Sequence, residues 1–297
     1  MAAVIELNNL TKMYGTNRGV EDLSLQIQPG TVVGFLGPNG AGKTTTISML
    51  VDLIRPTKGS VQIFGLDAQK QGIEIRRRIG FLAGDFALDE NLTGWQQLAY
   101  FGQLRGAFNK KRVDELATRL SCNLNRKIKT LSRGNRQKVG LISALMHDPE
   151  LLIFDEPTSG LDPLIQAEFN KIIAEYKAAG KTTFISSHLL SEVQEICDEV
   201  AFIREGKLIA VQAMDSLANG LPKQIRIVSS DTSLKKSLGA LKGLKIHTSG
   251  KGNYDCTYQG DLKPLLQMLA KHAIADVTIS EADLETVFLK YYEEQNV

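Results

Sequence analysis

Short apolar runs and longer amphipathic stretches alternate along the first two-thirds of the chain. The runs at Val4–Leu7, Leu23–Ile27, Thr31–Leu36, Val61–Phe64, Arg78–Leu82, Leu151–Phe154, Thr182–Ile185, Glu199–Ile203 and Lys207–Val211 predict strands. Leu23–Ile27 alternates and stops at Pro29-Gly30, a tight turn into the next run. Leu151–Phe154 is apolar without a break, the pattern of a strand buried on both faces of a parallel sheet. Glu199–Ile203 and Lys207–Val211 flank Glu205-Gly206 and predict a hairpin. Ile47, Leu50, Val51 and Ile54 recur at helical spacing and place a helix over Thr45–Leu53. Thr93 caps a helix running to Arg105, and Asn109 caps Lys110–Leu120, with Val113, Leu116 and Leu120 on one side. Further helices follow Leu131-Ser132 as far as His147-Asp148-Pro149, then at Pro163–Ala178 and Leu189–Cys197. The polar stretch after Phe64 predicts a turn, and Arg76-Arg77-Arg78 a solvated turn or subunit contact. The sum is an α/β core with a helical block, about residues 86–150, inserted between two groups of strands.

The pattern changes after Asn219-Gly220-Leu221-Pro222, which divides residues 1–220 from 221–297. Gln224–Val228 reads as a strand and Ser233–Leu241 as a helix. Lys245–Thr248 and Tyr254–Tyr258 form a hairpin, Asp261 caps Leu262–His272, and Ala275–Ile279 is a last strand. The order βαββαβ predicts a small ferredoxin-like α+β domain. Leu284, Val287, Phe288 and Tyr291 fall at i, i+3, i+4 and i+7 and predict a closing helix, which packs on this domain's own sheet or contacts a second copy.

The chemistry concentrates in Gly37-Pro38-Asn39-Gly40-Ala41-Gly42-Lys43-Thr44, which fits G-x-x-x-x-G-K-[ST]. A strand enters this loop and a helix leaves it, as phosphate binding requires. Glycines let bare N–H groups approach an anion, and the helix adds unpaired amide donors. Lys43 reaches the outer phosphates, and the Thr44 hydroxyl is placed to ligate Mg²⁺. With glycine near 7% of residues, a chance match in a chain this long is about one in a hundred. Asp155-Glu156 ends the buried run Leu151–Phe154. Two carboxylates there are costly unless a cation meets them, and in a P-loop protein this is where Mg²⁺ and the attacking water sit. Ser132 before a helix is either an ordinary cap or a phosphate-holding backbone turn. Taken alone, Tyr14 is a packing residue and His188 a turn residue.

Composition narrows the class. The 297 residues carry a net charge of +2, with 43% hydrophobic and 23% charged residues, an ordinary globular balance without an acidic or basic tail for nucleic acid. No apolar stretch is long enough to span a bilayer, and Met1–Leu7 lacks the basic start and apolar region of a signal peptide. Cys122, Cys197 and Cys256 are widely spaced and odd in number, so they read as reduced, structural, cytosolic thiols.

Together these pieces resemble the ATP-binding subunits of ABC transporters, over roughly Val4 to Asn219. Gly37–Thr45 is similar to the Walker A loop, Leu131–Gln137 to the ABC signature, Leu151–Glu156 to Walker B, and Ser159-Gly160-Leu161-Asp162 to the D-loop. The resemblance implies ATP hydrolysis with Mg²⁺ and a P-loop core with an antiparallel β-subdomain and a helical subdomain. It gives Tyr14 the role of stacking on adenine and His188 that of touching the γ-phosphate. Gly37 through Thr45 hold the nucleotide, with Lys43 on the β- and γ-phosphates. Thr44 and Asp155 hold the metal, and Glu156 polarises the attacking water. Two copies, identical or related, are implied to close head to tail, so that Ser132, Gly134 and Asn135 of one complete the site of the other beside Asp162.

Two departures from the family pattern stand out. Gly84 occupies the place of the usual glutamine, leaving Asp85 or water to fill the metal shell. Arg133 and Asn135 replace the usual glycine and glutamine of the signature. The tail Asp283-Leu284-Glu285 with Phe288-Leu289 resembles the exporter branch whose permeases are separate chains. This implies a subunit on the cytoplasmic face of the plasma membrane that drives export through an integral membrane permease. The alternatives are a soluble non-transport ABC ATPase on nucleic acid or ribosomes, which usually has paired halves or basic inserts, and a P-loop kinase or GTPase, which the signature and the missing NKxD motif oppose.

Overall fold

The computed structural model describes residues 2–106, 108–220, 223–250 and 252–280. The chain forms two compact units, Met1–Met214 and Asp215–Val297. The closing helix expected over Leu284–Tyr291 lies outside the described residues. No described helix is long and apolar enough to cross a membrane.

The first unit is built on two sheets. Strands β1 (Ile5–Tyr14), β2 (Asn17–Ile27), β4 (Lys58–Ile63) and β5 (Leu66–Asp67) form an antiparallel sheet in the order β2-β1-β4-β5. Strands β3 (Val32–Leu36), β6 (Ile79–Leu82), β7 (Leu151–Asp155), β8 (Thr182–Ser187), β9 (Glu199–Arg204) and β10 (Lys207–Ala213) form the other, in the order β10-β9-β3-β8-β7-β6. Its neighbours are parallel except for the β9–β10 hairpin. All five residues of β3 and of β7, and all six of β8, are buried, which is why their sequences show no alternation. Both sheets share one apolar core with helix α1 (Lys43–Leu50): Ile5, Leu23 and Ile63 pack with Phe35, Ile47, Ile153 and Phe184.

The polar stretch before Ile79 is a helix, α2 (Gly72–Arg78), not the expected turn. It buries only Gly72 and Ile75, so it leaves no apolar stripe to read. Its basic last turn complements the carbonyl end of the helix dipole, and Arg78 forms a two-pronged pair with Glu150 at 2.7 and 2.8 Å. Strands β1 and β2 also run much further than Val4–Leu7 and Leu23–Ile27. Apart from the buried Leu10 and Val20, their extra residues are mostly polar and at least partly exposed, and the two strands pair with each other through irregular register.

The helical insertion comprises α3 (Gly94–Leu104), α4 (Lys110–Arg119) and α5 (Arg133–Leu145). Thr93 and Gln96 make a complete capping box for α3, Asn109 caps α4, and Ser132 caps α5. Arg119 ties α4 to α6 (Pro163–Ala178) through Glu168 at 2.6 Å and Glu175 at 2.6 and 2.8 Å. Helices α7 (Leu190–Ile196) and α8 (Met214–Gly220) follow β8 and β10.

The second unit begins within α8 and then runs β11 (Lys223–Ser229), α9 (Leu234–Ala240), β12 (Leu244–Gly250), β13 (Asn253–Tyr258), α10 (Leu262–Leu269) and β14 (Ile274–Ser280). Its sheet has the order β12-β13-β11-β14, antiparallel throughout. Alternation decides which side is core: Ile225 and Ile227 of β11 and Tyr254, Cys256 and Tyr258 of β13 pack on Leu234, Leu238, Leu265 and Leu269.

Candidate active site

The carboxyl ends of β3, β7 and β8 meet at the loop between β3 and α1. At Gly37 a Cβ would lie 2.3 Å from the carbonyl oxygen of Ile203, so only glycine lets the loop pass there. Gly42 has φ +105°, a left-handed conformation that starts α1 without a side chain. Lys43 follows and is 5% exposed. Its ammonium donates to the carbonyls of Gly37 at 2.7 Å and Pro38 at 3.2 Å, and lies 3.4 Å from Glu156 Oε1. The lysine therefore curls over its own loop, with its charge held by two of the loop's carbonyls and by Glu156.

Parallel register sets Asp155 of β7 beside Ser186 of β8. Asp155 is 2% exposed, yet both its oxygens are used: Thr44 Oγ1 donates to Oδ2 at 2.7 Å, and the Ser186 hydroxyl donates to Oδ1. A buried carboxylate needs such donors or a cation. The Thr44 hydroxyl and the Asp155 carboxylate are hard oxygen donors at the mouth of the loop. Among the described residues no group of three or more His, Cys, Asp or Glu is arranged to hold a metal. This pair suits Mg²⁺, which keeps several waters and takes one or two carboxylates plus phosphate oxygens.

Glu156 turns the chain out of β7 with φ +50°, in the left-handed region that costs a non-glycine residue energy. Its N–H donates to the carbonyl and the hydroxyl oxygen of Ser186 at 3.2 and 3.1 Å. Its side chain is bracketed by Lys43 on Oε1 and by His188 Nδ1 at 2.7 Å on Oε2. Lys43, Glu156 and His188 thus form one chain of contacts.

Lys43, Thr44, Asp155 and Glu156 line a cleft of about 520 Å³; His188 does not line it and reaches it only through Glu156. Tyr14 lines one part of it, at the end of β1 opposite Asn17, and is half exposed. Pro38, Asn39, Gly40, Gly42, Thr44 and Thr45 line its floor, while Ala41 is buried beneath. Exposed Asp85 and Gly84 line the side near Asp155. Ser132, Gly134 and Asn135 do not line this cleft. The Ser132 hydroxyl accepts from the backbone and the side chain of Asn135 at 3.4 and 3.0 Å. Asp162 caps α6 by accepting from the N–H of Ile165 at 3.1 Å.

Sequence reasoning passes over Arg18 and Gly19, which also line the cleft. Arg133 and Ser159 line it too but stand out in the sequence only as members of motifs, and Ser186 and Gln137 carry no role of their own there. Only the register of two strands far apart in sequence brings Ser186 to Asp155. No local pattern marks it.

The ABC transporter family model matches residues 20–159. A bacitracin transport ATP-binding protein of Bacillus licheniformis is 36% identical over 98% of this chain and 97% of its own length. A daunorubicin/doxorubicin resistance ATP-binding protein of Streptomyces peucetius is 32% identical over 96% of this chain and 91% of its own. A solved ATP-binding subunit of an ABC transporter covers 72% of this chain and 91% of its own, at 27% identity and a TM-score of 0.66. A dimeric ATP-binding cassette in a post-hydrolysis state with ADP and Pi matches 71% of this chain and 98% of its own, at 26% identity and a TM-score of 0.63. Strand, loop and carboxylates lie where nucleotide chemistry needs them, relatives match from end to end, and the chain belongs to the ATP-binding proteins of ABC transporters, a family of ATPases.

Proposed function

We propose that this chain hydrolyses ATP to drive export through a separate integral membrane permease, working at the cytoplasmic face of the plasma membrane. The observation that carries this reading is the end-to-end match, second unit included, to a bacitracin transport protein and a drug-resistance protein. The substrate is selected by the permease. A soluble role on nucleic acid or ribosomes has no comparable support.

The contacts of the cleft support the following chemistry. Incoming phosphates exchange with the Gly37 and Pro38 carbonyls for the Lys43 ammonium, and the loop amides from Gly40 to Thr45 hold the same oxygens. Thr44 and Asp155, with Asp85 at the rim, would hold Mg²⁺, which would supply charge neutralisation for the phosphates. Glu156 then gives up its Lys43 contact and orients a water for in-line attack on the γ-phosphate, while His188 steadies the carboxylate and the departing phosphoryl oxygens. Such catalysis is positioning and electrostatics rather than covalent chemistry. Tyr14 offers a ring for the base. Ser132, Gly134 and Asn135 lie away from their own cleft, which suits a dimer in which each copy, or a related subunit, completes the other's site beside Asp162.

A second hollow, about 810 Å³, suits the permease. Phe81, Phe86, Phe101 and Leu104 give it an apolar lining, and Arg76, Arg77 and Arg105 a basic rim. An amphipathic helix with carboxylates at its edge fits that chemistry. Ala83 and Phe86 flank Gly84-Asp85 of the nucleotide cleft, which joins docking to the metal side of the site. We also class the βαββαβ second unit as a ferredoxin-like module. A tagged chain, purified in detergent from its native membrane, is expected to bring down an integral membrane protein whose presence stimulates ATP turnover. Recovery in ribosomal or nucleic-acid fractions instead would refute the exporter reading.

A further inference from the structure

The turn that carries Glu156 is held from two sides. On one side Ser186 accepts its N–H twice. On the other stands the beginning of α5, the helix that Ser132 caps. Gln137, in the second turn of that helix, is 5% exposed. Its side-chain amide donates to the carbonyl of Pro157 at 2.9 Å and reaches that of Glu156 at 3.4 Å. The first turn of α5 is pressed against the same segment. A Cβ on Gly134 would lie 2.4 Å from the Gly160 carbonyl, and Arg133 Nη2 donates to Ser159 Oγ at 3.1 Å. Three successive contacts from one helix therefore fall on residues 156–160 of the same protomer.

We infer that Gln137 is a positioning residue for Glu156, acting within its own protomer through the Glu156 and Pro157 carbonyls. A residue at φ +50° keeps that conformation only where its surroundings over-determine it. Ser186 fixes the amide side of Glu156 and Gln137 the carbonyl side, so the side chain leaves the turn in one direction, toward Lys43 and His188. Burying a glutamine amide is unfavourable unless its donors are used. Here they are spent on the two carbonyls next to the reacting carboxylate. The consequence for the helical insertion is direct: moving the start of α5 moves Glu156. Ser132, Gly134 and Asn135 offer this helix end to the other copy, so engagement there reaches the carboxylate of the protomer that owns the helix. This inference rests on the reading of Glu156 as the water-orienting carboxylate.

The test uses the full chain, with steady-state ATP turnover and calorimetric ATP affinity measured side by side. Gln137→Met keeps the shape and removes the donor. It is expected to lower kcat by about tenfold to a hundredfold, the scale of a small misplacement of a reacting group, with KM and ATP affinity unchanged. Gln137→Glu, which turns a carboxylate toward two carbonyls, is expected to lower kcat further. Gln137→Asn keeps the amide but shortens its reach by one methylene, and gives the same split should Gln137→Met not accumulate as folded protein. A kcat retained in these variants, or ATP affinity falling in step with kcat, overturns the positioning role. Glu156→Gln in the same assay separates the two levels. If it turns over normally, the reading of Glu156 fails; if it is inactive while Gln137→Met is not, only the present inference fails.

Discussion

Two polar clusters in this chain look alike on paper and are built in opposite ways. In the first unit, Lys43 and Asp155 are almost fully buried, and each reaches the floor or wall of an open cleft. Lys43 spends its donors on carbonyls and on a carboxylate that has a second partner in His188. In the second unit, Asp231, Ser233, Ser237 and His272 have the letters of a hydrolase. Asp231 Oδ1 accepts from the N–H and hydroxyl of Ser233 at 2.8 and 2.7 Å, and Oδ2 meets His272 Nδ1 at 2.8 Å. His272 Nε2 meets Ser237 Oγ at 2.9 Å. That cluster closes on itself and joins the start of α9 to the chain after α10. Charge buried at the edge of a cavity, with partners it can exchange, is poised for a ligand. Charge whose partners are complete holds a fold together.

The contrast predicts opposite responses to substitution. The largest effect belongs to Glu156→Gln, which keeps the hydrogen-bonding shape and loses the carboxylate. ATP turnover is expected to fall by about a hundredfold or more, the scale of losing a general base, while ATP still binds and an ATP-bound dimer accumulates in size-exclusion chromatography. Normal turnover in that variant breaks the first half of the comparison. Next comes Lys43→Ala, which removes a charge-assisted contact to phosphate. ATP affinity measured by calorimetry is expected to drop about tenfold to a hundredfold, and unchanged affinity would contradict the loop's role.

Most of the first half was legible in sequence because it is written locally. Glycine spacing, a lysine and an apolar run ending in two carboxylates are contiguous patterns, and they led to Lys43, Thr44, Asp155 and Glu156. What escaped is set by distant register or by too little burial. Ser186 reaches Asp155 only because β8 lies parallel beside β7. Gln137 meets Pro157 across two elements twenty residues apart. Helix α2 buries one isoleucine and one glycine and so has no periodicity. His272 and Asp231 were invisible as a pair for the same reason as Ser186: a helix, a hairpin and another helix separate them.

The second half of the comparison is tested at Asp231, and a smaller effect is expected there. Hydrogen bonds from Ser233, then from His272, hold its carboxyl at about 2, below its usual range. A group whose pKa is lower folded than unfolded stabilises the fold above its unfolded value and loses that contribution as pH falls through the folded one. Asp231→Asn is therefore expected to speed amide exchange in α9 by about fivefold at pH 7. The gap from the parent protein closes as pH drops from about 4 toward 2. ATP turnover stays unchanged. A gap that persists at pH 2, or a loss of turnover, would mean that this cluster is not merely holding the second unit together.

The smallest effect, and the finest test of the first cluster, lies at Gly84 and Asp85. A Cβ on Gly84 would sit 3.1 Å from Asp155 Oδ2, the same oxygen that accepts from Thr44. The glycine therefore leaves room directly over the pair assigned to the metal, and a side chain there must crowd Asp155 or rise into the cleft. Asp85, exposed on the cleft wall, already offers a hard oxygen suited to Mg²⁺. If Asp85 fills the place, Gly84→Gln adds a ligand that is not needed, and turnover is expected to change by about twofold or less. Asp85→Ala is then expected to raise the Mg²⁺ concentration needed for half-maximal turnover, with ATP affinity in the absence of Mg²⁺ unchanged. A large gain from Gly84→Gln would instead mean that the site lacks a ligand and that chemistry is limited by it. Titrating Mg²⁺ against turnover in both variants separates the outcomes. Identical curves in both would remove this loop from the metal site and leave Thr44 and Asp155 as its only protein ligands.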